Sequence, residues 1–118
     1  MIQNNSVCDI GFIGLGVMGK NLVLNLADNG FSIAAFDLDL IVLSVPAGAP
    51  VDQVCENLIG AGIQPDDIVI DTGNSLWVDT VAREKKYKNN FILFSSAVSG
   101  GEVGARFGPA LMPSGSPY

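Results

Sequence analysis

Histidine is missing altogether from the 118 residues. That removes any imidazole base, any histidine-containing triad and any histidine metal ligand from what this stretch can supply. Cysteine is scarce too: Cys8 and Cys55 fall in a predicted strand and helix with neither metal nor redox spacing, and they read as buried thiols of a reducing cytoplasm. Basic residues number six against twelve acids, a net charge of −6 that repels a phosphate backbone and argues against a nucleic-acid partner. Four of the six, Arg83, Lys85, Lys86 and Lys88, cluster on one predicted helix and read as its solvated face. No apolar run approaches the 18 or more residues that span a bilayer, and Met1 to Ser6 lacks the basic start of a signal peptide, so no membrane partner is expected.

Hydrophobic residues (48%) and glycines (14) are what the sequence has in quantity, enough for one α/β core. The chain is organised around Cys8 to Asp37. Val7 to Ile13 is an apolar strand, Gly14-Leu15-Gly16-Val17-Met18-Gly19 comes next, and Val17 to Asn29 fits a helix with Met18, Leu22 and Leu26 on one side and Gly30 at its C-cap. Ser32 to Phe36 reads as a second strand, and Asp37 stands near the spacing of a ribose-binding acid. In a dinucleotide site Gly14 makes the tight turn, Gly16 admits a pyrophosphate close to the backbone, and Gly19 lets helix and strand pack closely. Phosphate charge then meets the free N–H groups that open the helix. The competing reading is a purely structural glycine-rich turn.

Further on, Ile41 to Val45 reads as a buried strand with Pro46 to Ala49 as its exit loop. A helix is expected from about Val51 to Leu58, with Val51, Val54, Cys55 and Leu58 inward and Gly60 and Gly62 at its end. Asp67 to Ile70 is the next strand, Asp71 to Asn74 its exit, Ser75 a cap for a helix from Leu76 to about Lys88, and Phe91 to Phe94 another strand. After Ser99-Gly100-Gly101-Glu102 only loop and a short helix are expected. The predicted fold is a Rossmann-like, doubly wound, mainly parallel sheet.

One joint resists that topology. From Asp37 to Ile41 there are four steps, about 14 Å at full stretch, against about 17–20 Å for the strand that a parallel neighbour must first run back along. A parallel crossover takes a dozen or more residues, so either Ile41 to Val45 runs antiparallel or a crossover is missing between Asp37 and Ile41. The second is preferred.

Asp9 to Gly19, Ile70 to Ser75 and Val98 to Pro113 resemble the 6-phosphogluconate dehydrogenase family. The last block is the most specific. The 3-hydroxyisobutyrate dehydrogenases share its serine and paired glycines, but usually not the arginine, glycine-proline and leucine-methionine-proline at Arg106, Gly108-Pro109 and Leu111-Met112-Pro113. The resemblance takes in the amino-terminal nucleotide domain of a protein about four times longer, in which roughly thirty or more residues separate the second strand from the one matching Ile41 to Val45. It implies one truncated dinucleotide-binding domain over residues 1–118, without the family's helical catalytic domain.

Carried over by position, the resemblance makes Gly14, Leu15, Gly16, Val17, Met18 and Gly19 the pyrophosphate loop, places Val45, Pro46 and Ala47 against the cofactor, and has Asn74 touch both cofactor and substrate. Ser99, Gly100 and Gly101 match the substrate loop. Read alone, Asn74 is an Asx turn and Ser99 to Gly101 a flexible turn. The implied reaction is oxidative decarboxylation of 6-phosphogluconate to ribulose 5-phosphate and CO2 in the pentose phosphate pathway, by a cytoplasmic, homodimeric parent protein. The family's catalytic lysine and glutamate match nothing here, neither Lys20 nor Glu102, so no catalytic residue is assigned and the chain alone is expected to be inactive.

Two departures bear on the cofactor. Where the family commonly has an arginine for the NADP 2′-phosphate, this chain reads Asp37-Leu38-Asp39, which suits the free diol of NAD; Pro46 replaces a frequent lysine. NADP is the family expectation and NAD the alternative. Competing functions are a non-catalytic nucleotide-binding fragment and another β-hydroxyacid dehydrogenase.

Overall fold

A computed structural model describes residues 10–14, 16–34 and 40–115. Among these residues six strands form one sheet in the order β2-β1-β3-β4-β5-β6, where β1 is Ile10–Ile13, β2 Ile33–Ala34, β3 Leu40–Leu43, β4 Ile68–Asp71, β5 Ile92–Ser99 and β6 Ala110–Ser114. The first five are parallel and β6 is antiparallel to β5. Helices α1 (Val17–Asp28), α2 (Ala49–Ala61), α3 (Trp77–Tyr87) and α4 (Gly101–Phe107) cover both faces.

Alternation along the strands builds two cores. Ile10 and Phe12 of β1 and Val42 of β3 pack with Leu22 of α1 and Ala105 of α4, and Met18 and Leu26 join them as the helical spacing predicts. On the other face Leu43, Val69 and Leu93 meet Val51 and Cys55 of α2 and Tyr87 at the end of α3, with Val54 and Leu58 alongside. Tyr87 stacks on Phe91 at 5.3 Å between ring centroids. The doubly wound α/β expectation is met.

Several boundaries move. Helix α2 begins at Ala49 and runs through Gly60, closing only at left-handed Gly62, because Pro50 is accommodated in the first turn. Asn29 is the C-cap of α1, with Gly30 one residue beyond. Ser75 does not cap α3; Leu76 holds that position, and the Ser75 hydroxyl donates instead to Asp71 Oδ2 at 2.5 Å. Strand β5 continues four residues past its last partner on β4 because β6 returns beside it, pairing Ser99 with Ala110 and Ser95 with Ser114. The short helix expected here is α4, whereas the strand β6 stands where loop was expected. Arg83 is also not part of a solvated face: it is buried, while Lys85, Lys86 and Lys88 are exposed.

Strands β2 and β3 flank β1 and both run parallel to it, so the antiparallel alternative for Ile41 to Val45 is excluded. The joint between them, 35–39, lies outside the described residues, and so do Leu15, Cys8 and Asp37. Gly11 pairs with Ala34 on one side and Ile41 on the other, so the two flanking ends are level and about 10 Å apart across β1. The paired part of β2 is short, and the crossover expected to be missing between Asp37 and Ile41 falls on this joint.

Candidate dinucleotide site

Strand order reverses between β1 and β3, since β2 lies on one side of β1 and β3 on the other. In open α/β sheets the crevice at the carboxyl ends of such a strand pair is where ligands bind. Three exit loops meet there. Gly14 leaves β1 at φ +98°, and a Cβ on it would stand 2.2 Å from the Ser44 carbonyl oxygen and 3.2 Å from Val45 Cγ1. A Cβ on Gly19 would lie 2.0 Å from the Gly14 carbonyl oxygen, so α1 sits directly on the turn that precedes it. Gly73, after β4, also comes close to the Val45 carbonyl oxygen, at 2.9 Å from its would-be Cβ. The loop after β3 thus lies in close contact with the loops after both β1 and β4.

Gly16 differs from its motif partners. It is the N-cap of α1 at φ −65°, and a Cβ there would meet no atom within 4 Å. Among the described residues no side chain caps the helix, and its first internal bond is Lys20 N–H to the Gly16 carbonyl at 2.9 Å. The helix start therefore presents its first N–H groups beside open space, which fits an anionic group. Val17 is exposed, Met18 half-buried in the core below, and Pro46 and Ala47 lie exposed on the neighbouring loop while Val45 reaches into the core.

The β4 exit is fixed by Asp71, which is 3% exposed. Its Oδ1 accepts from the Gly73 N–H at 2.9 Å and its Oδ2 from the Ser75 hydroxyl, an Asx turn made by Asp71 rather than by Asn74. Asn74 is left exposed beside that turn. Thr72 ties the turn back to β3 through its hydroxyl and its N–H, both donated to the Leu43 carbonyl at 2.6 and 2.9 Å. The Val98 N–H donates to the Thr72 carbonyl at 3.4 Å, so the turn carrying Asn74 and the extension of β5 carrying Ser99 leave the sheet side by side. Ser99 is exposed at the tip of β5, and Gly100 and Gly101 open α4. Helix α4 is held against α1 by the Asn25 amide donating to the Arg106 carbonyl at 2.7 Å and by an Arg106–Asp28 ion pair.

Residue spacing alone passed over two supports of this site. Asp71 opens an Asp-Thr-Gly-Asn-Ser run at a strand end, a pattern that signals an Asx turn. Arg83 lies three residues after Thr80 and four before Tyr87, on the stripe of α3 that is buried. Its guanidinium donates to both carboxylate oxygens of Asp52, at 3.0 and 2.9 Å, and to the Gly48 carbonyl at 3.0 Å. The bond from Arg83 holds the Asp52 carboxyl below its ordinary value, and burial pushes the Cys55 thiol up to about 11. An open hollow of about 640 Å³ lined by Lys85, Lys88, Phe91, Phe94 and Pro113 lies at the amino end of β5, away from the motif loops. Among the described residues no acid and cysteine cluster is arranged to hold a metal, and no helix is long and apolar enough to cross a membrane.

Known proteins resemble this chain over most of its length. The chain is 39% identical over 149 aligned positions to the decarboxylating 6-phosphogluconate dehydrogenase 2 of Saccharomyces cerevisiae, covering 97% of this chain and 30% of that protein. The chain thus spans about 30% of the length of the curated relatives it matches. Among solved structures, the Plasmodium falciparum 6-phosphogluconate dehydrogenase, determined with NADP+ and with 6-phosphogluconate, matches at TM-score 0.80 and 31% identity over 92% of this chain and 31% of that one. A 3-hydroxyisobutyrate dehydrogenase from Mycobacterium tuberculosis reaches the same TM-score at 21% identity, over 93% of this chain and 47% of that one, and shows a shared fold alone. A family model matches residues 9–39 and 35–118, two stretches that meet at the joint after β2 and together take in all four site loops. Its description, the NAD-binding domain of 6-phosphogluconate dehydrogenase, names the family to which this chain belongs.

Proposed function

We propose that this chain is the cofactor-binding part of a 6-phosphogluconate dehydrogenase, an oxidoreductase that converts 6-phosphogluconate to ribulose 5-phosphate and CO2. The observation that carries the reading is the uncapped start of α1, beside open space at Gly16 and flanked by the β3 and β4 exit loops at the reversal of strand order. Gly14, Gly16, Val17, Met18 and Gly19 would hold the pyrophosphate by backbone N–H groups, with Leu15 part of the same loop. Val45, Pro46 and Ala47 would line the far wall. The cofactor, NADP by family expectation and NAD by the acid at Asp37, supplies a hydride acceptor.

Substrate would lie between Asn74 and the Ser99-Gly100-Gly101 loop. The Asn74 amide offers donor and acceptor to cofactor and substrate together, and the Ser99 hydroxyl and adjacent backbone N–H groups suit a polyol acid. Asn74, Ser99, Gly100 and Gly101 would hold and orient the substrate, and the cofactor, when bound, would supply the acceptor for the hydride of substrate C3, whose hydroxyl proton would go to a base. The C1–C2 bond then breaks with release of CO2, its electron pair entering an enol that is reprotonated at C1 of the product. This chain holds and orients; holding alone does not accelerate the proton transfers, so the 118 residues by themselves would bind but not turn over.

Calorimetric titration with NADP and with NAD tests the reading. Saturable binding of either that is lost on replacing Gly16 with a bulky residue supports it; no binding of either overturns it. The identity of the acid is tested in the complete enzyme by turnover of 6-phosphogluconate against 3-hydroxyisobutyrate.

A further inference from the structure

We infer that Arg83 is a positioning residue for the cofactor loop, holding the Val45 to Gly48 segment in place through its bond to the Gly48 carbonyl. This rests on the reading of that segment as the wall of the dinucleotide site. The segment is anchored at its start, where the Ser44 N–H donates to the Ile13 carbonyl at 2.7 Å and the Val45 side chain enters the core. Pro46 and Ala47 are exposed between the two ends. At the far end the Gly48 carbonyl receives the Val51 N–H at 3.1 Å from the first turn of α2, and Arg83 Nη2 at 3.0 Å from another helix.

A simple staple between α2 and α3 would need only the paired bonds to Asp52. Arg83 does more, because the same Nη2 that meets Asp52 Oδ2 also reaches Gly48, and the side chain is 8% exposed while Asp52 is 39% exposed. Nη1 is buried with no hydrogen-bond partner among the described residues, so the guanidinium is not placed where its own donors are best satisfied. The position instead favours the loop carbonyl. Hydrogen bonds from charged groups are strong enough to shift a loop population by about tenfold or more, and apparent affinity falls by the fraction of molecules that keep the competent loop.

The test separates loop holding from stapling. Asp52→Asn weakens the pair but leaves the Gly48 bond available, whereas Arg83→Met removes it at similar side-chain length. Urea unfolding gives the stability of each, and calorimetry with NADP and with NAD gives the dissociation constants under conditions where both variants are folded. Arg83→Met should raise the dissociation constant about tenfold and Asp52→Asn less than twofold, with Arg83→Lys recovering part of the loss. Equal loss of affinity in Asp52→Asn and Arg83→Met would overturn the inference. If Arg83→Met does not fold, Arg83→Lys against Asp52→Asn decides by the same criterion.

Amide exchange of the unliganded chain gives a readout without cofactor. Val51, whose N–H donates to the Gly48 carbonyl, should exchange about tenfold faster in the Arg83 variant relative to Val69 and Leu93 in the core, and an equal change at all three would refute loop holding. Failure of the unsubstituted chain to bind either cofactor would count against the dinucleotide reading, and the exchange ratio would still judge the Arg83 contact.

Discussion

Replacing each motif glycine by alanine should separate the three into two that hold the fold and one that admits a ligand. At Gly14 the new Cβ would meet the Ser44 carbonyl carbon and oxygen at 2.7 and 2.2 Å, and φ is +98°. Both obstacles are backbone and cannot swing aside. The left-handed conformation costs roughly 1–2 kcal/mol for a residue with a Cβ, and overpacking about 1–3 more. Gly14→Ala should therefore lose about 2–5 kcal/mol, a large part of the roughly 5–15 kcal/mol that keeps a domain folded. Gly19→Ala gains up to about 1 kcal/mol of helix propensity but drives its Cβ to 2.0 Å from the Gly14 carbonyl oxygen, so it too should destabilise. Gly16→Ala meets nothing within 4 Å and has an ordinary φ, so stability should stay within about 0.5 kcal/mol or rise slightly. Its cofactor dissociation constant should nevertheless rise tenfold or more, a loss of about 1.4 kcal/mol or above, because the methyl occupies space a pyrophosphate would use. Urea midpoints and calorimetric titration measure the two quantities separately. A Gly16→Ala protein with unchanged affinity, or one as unstable as Gly14→Ala, would refute the division.

Alkaline stability should carry the mark of Cys55. Its thiol is raised from 9.0 to about 11 in the folded chain, chiefly by burial, so the unfolded chain ionises first and stability falls between those pH values by roughly 2–3 kcal/mol. A Cys55→Ala protein, which escapes that term though not the raised Tyr87 beside it, should show a shallower decline in urea midpoint, and identical slopes would contradict the burial. In acid the sign reverses: Asp52 is held below its ordinary 3.8 chiefly by the bond from Arg83, so its contribution is complete above that value and lost as pH falls through the lower, folded one. Asp52→Asn should flatten this acid limb, leaving the slope from Glu56, whose carboxyl is lowered by Lys86 and Tyr87. The chain incubated with 6-phosphogluconate and NADP or NAD should form no reduced nicotinamide; formation in proportion to chain concentration would force a search for an acid–base pair around Lys20 and Glu102.

Legibility in the sequence depended on the range of the interactions. The strand, glycine turn and helix around Gly14 to Gly19 could be read because each depends on neighbours a few residues away, and the inward positions of α2 because a 3.6 period exposes them. Strand β6 could not be read in that way. Leu111 and Met112 are exposed on it, and it exists by pairing with β5, a partner that local pattern does not reveal. Arg83 misled for a related reason: three lysines around it are solvated, and only the tertiary approach of Asp52 and Gly48 makes burial of its charge tolerable. The Asx turn stood in plain sight but was credited to Asn74, when the buried Asp71 makes it.

The joint after β2 joins sequence, fold and function most directly. Against the yeast enzyme, 149 aligned positions face 97% of 118 residues, a surplus of about 35, and the family model breaks into 9–39 and 35–118. A crossover with a helix takes a dozen or more residues, so a surplus of that size has room for more than one element. Yet the site loops do not depend on it. Gly14 to Gly19 precede the joint, while Val45 to Gly48, Asp71 to Asn74 and Ser99 to Gly101 come after it, and the direct parallel pairing of β1 with β3 brings the first two together without any intervening segment. What the joint does touch is the end of β2, where a dinucleotide fold reads the adenosine ribose. If the chain binds a dinucleotide as proposed, the choice between a 2′-phosphate and a free diol would fall to residues at that joint, whereas the loops proposed for pyrophosphate and substrate stand on contacts formed outside it.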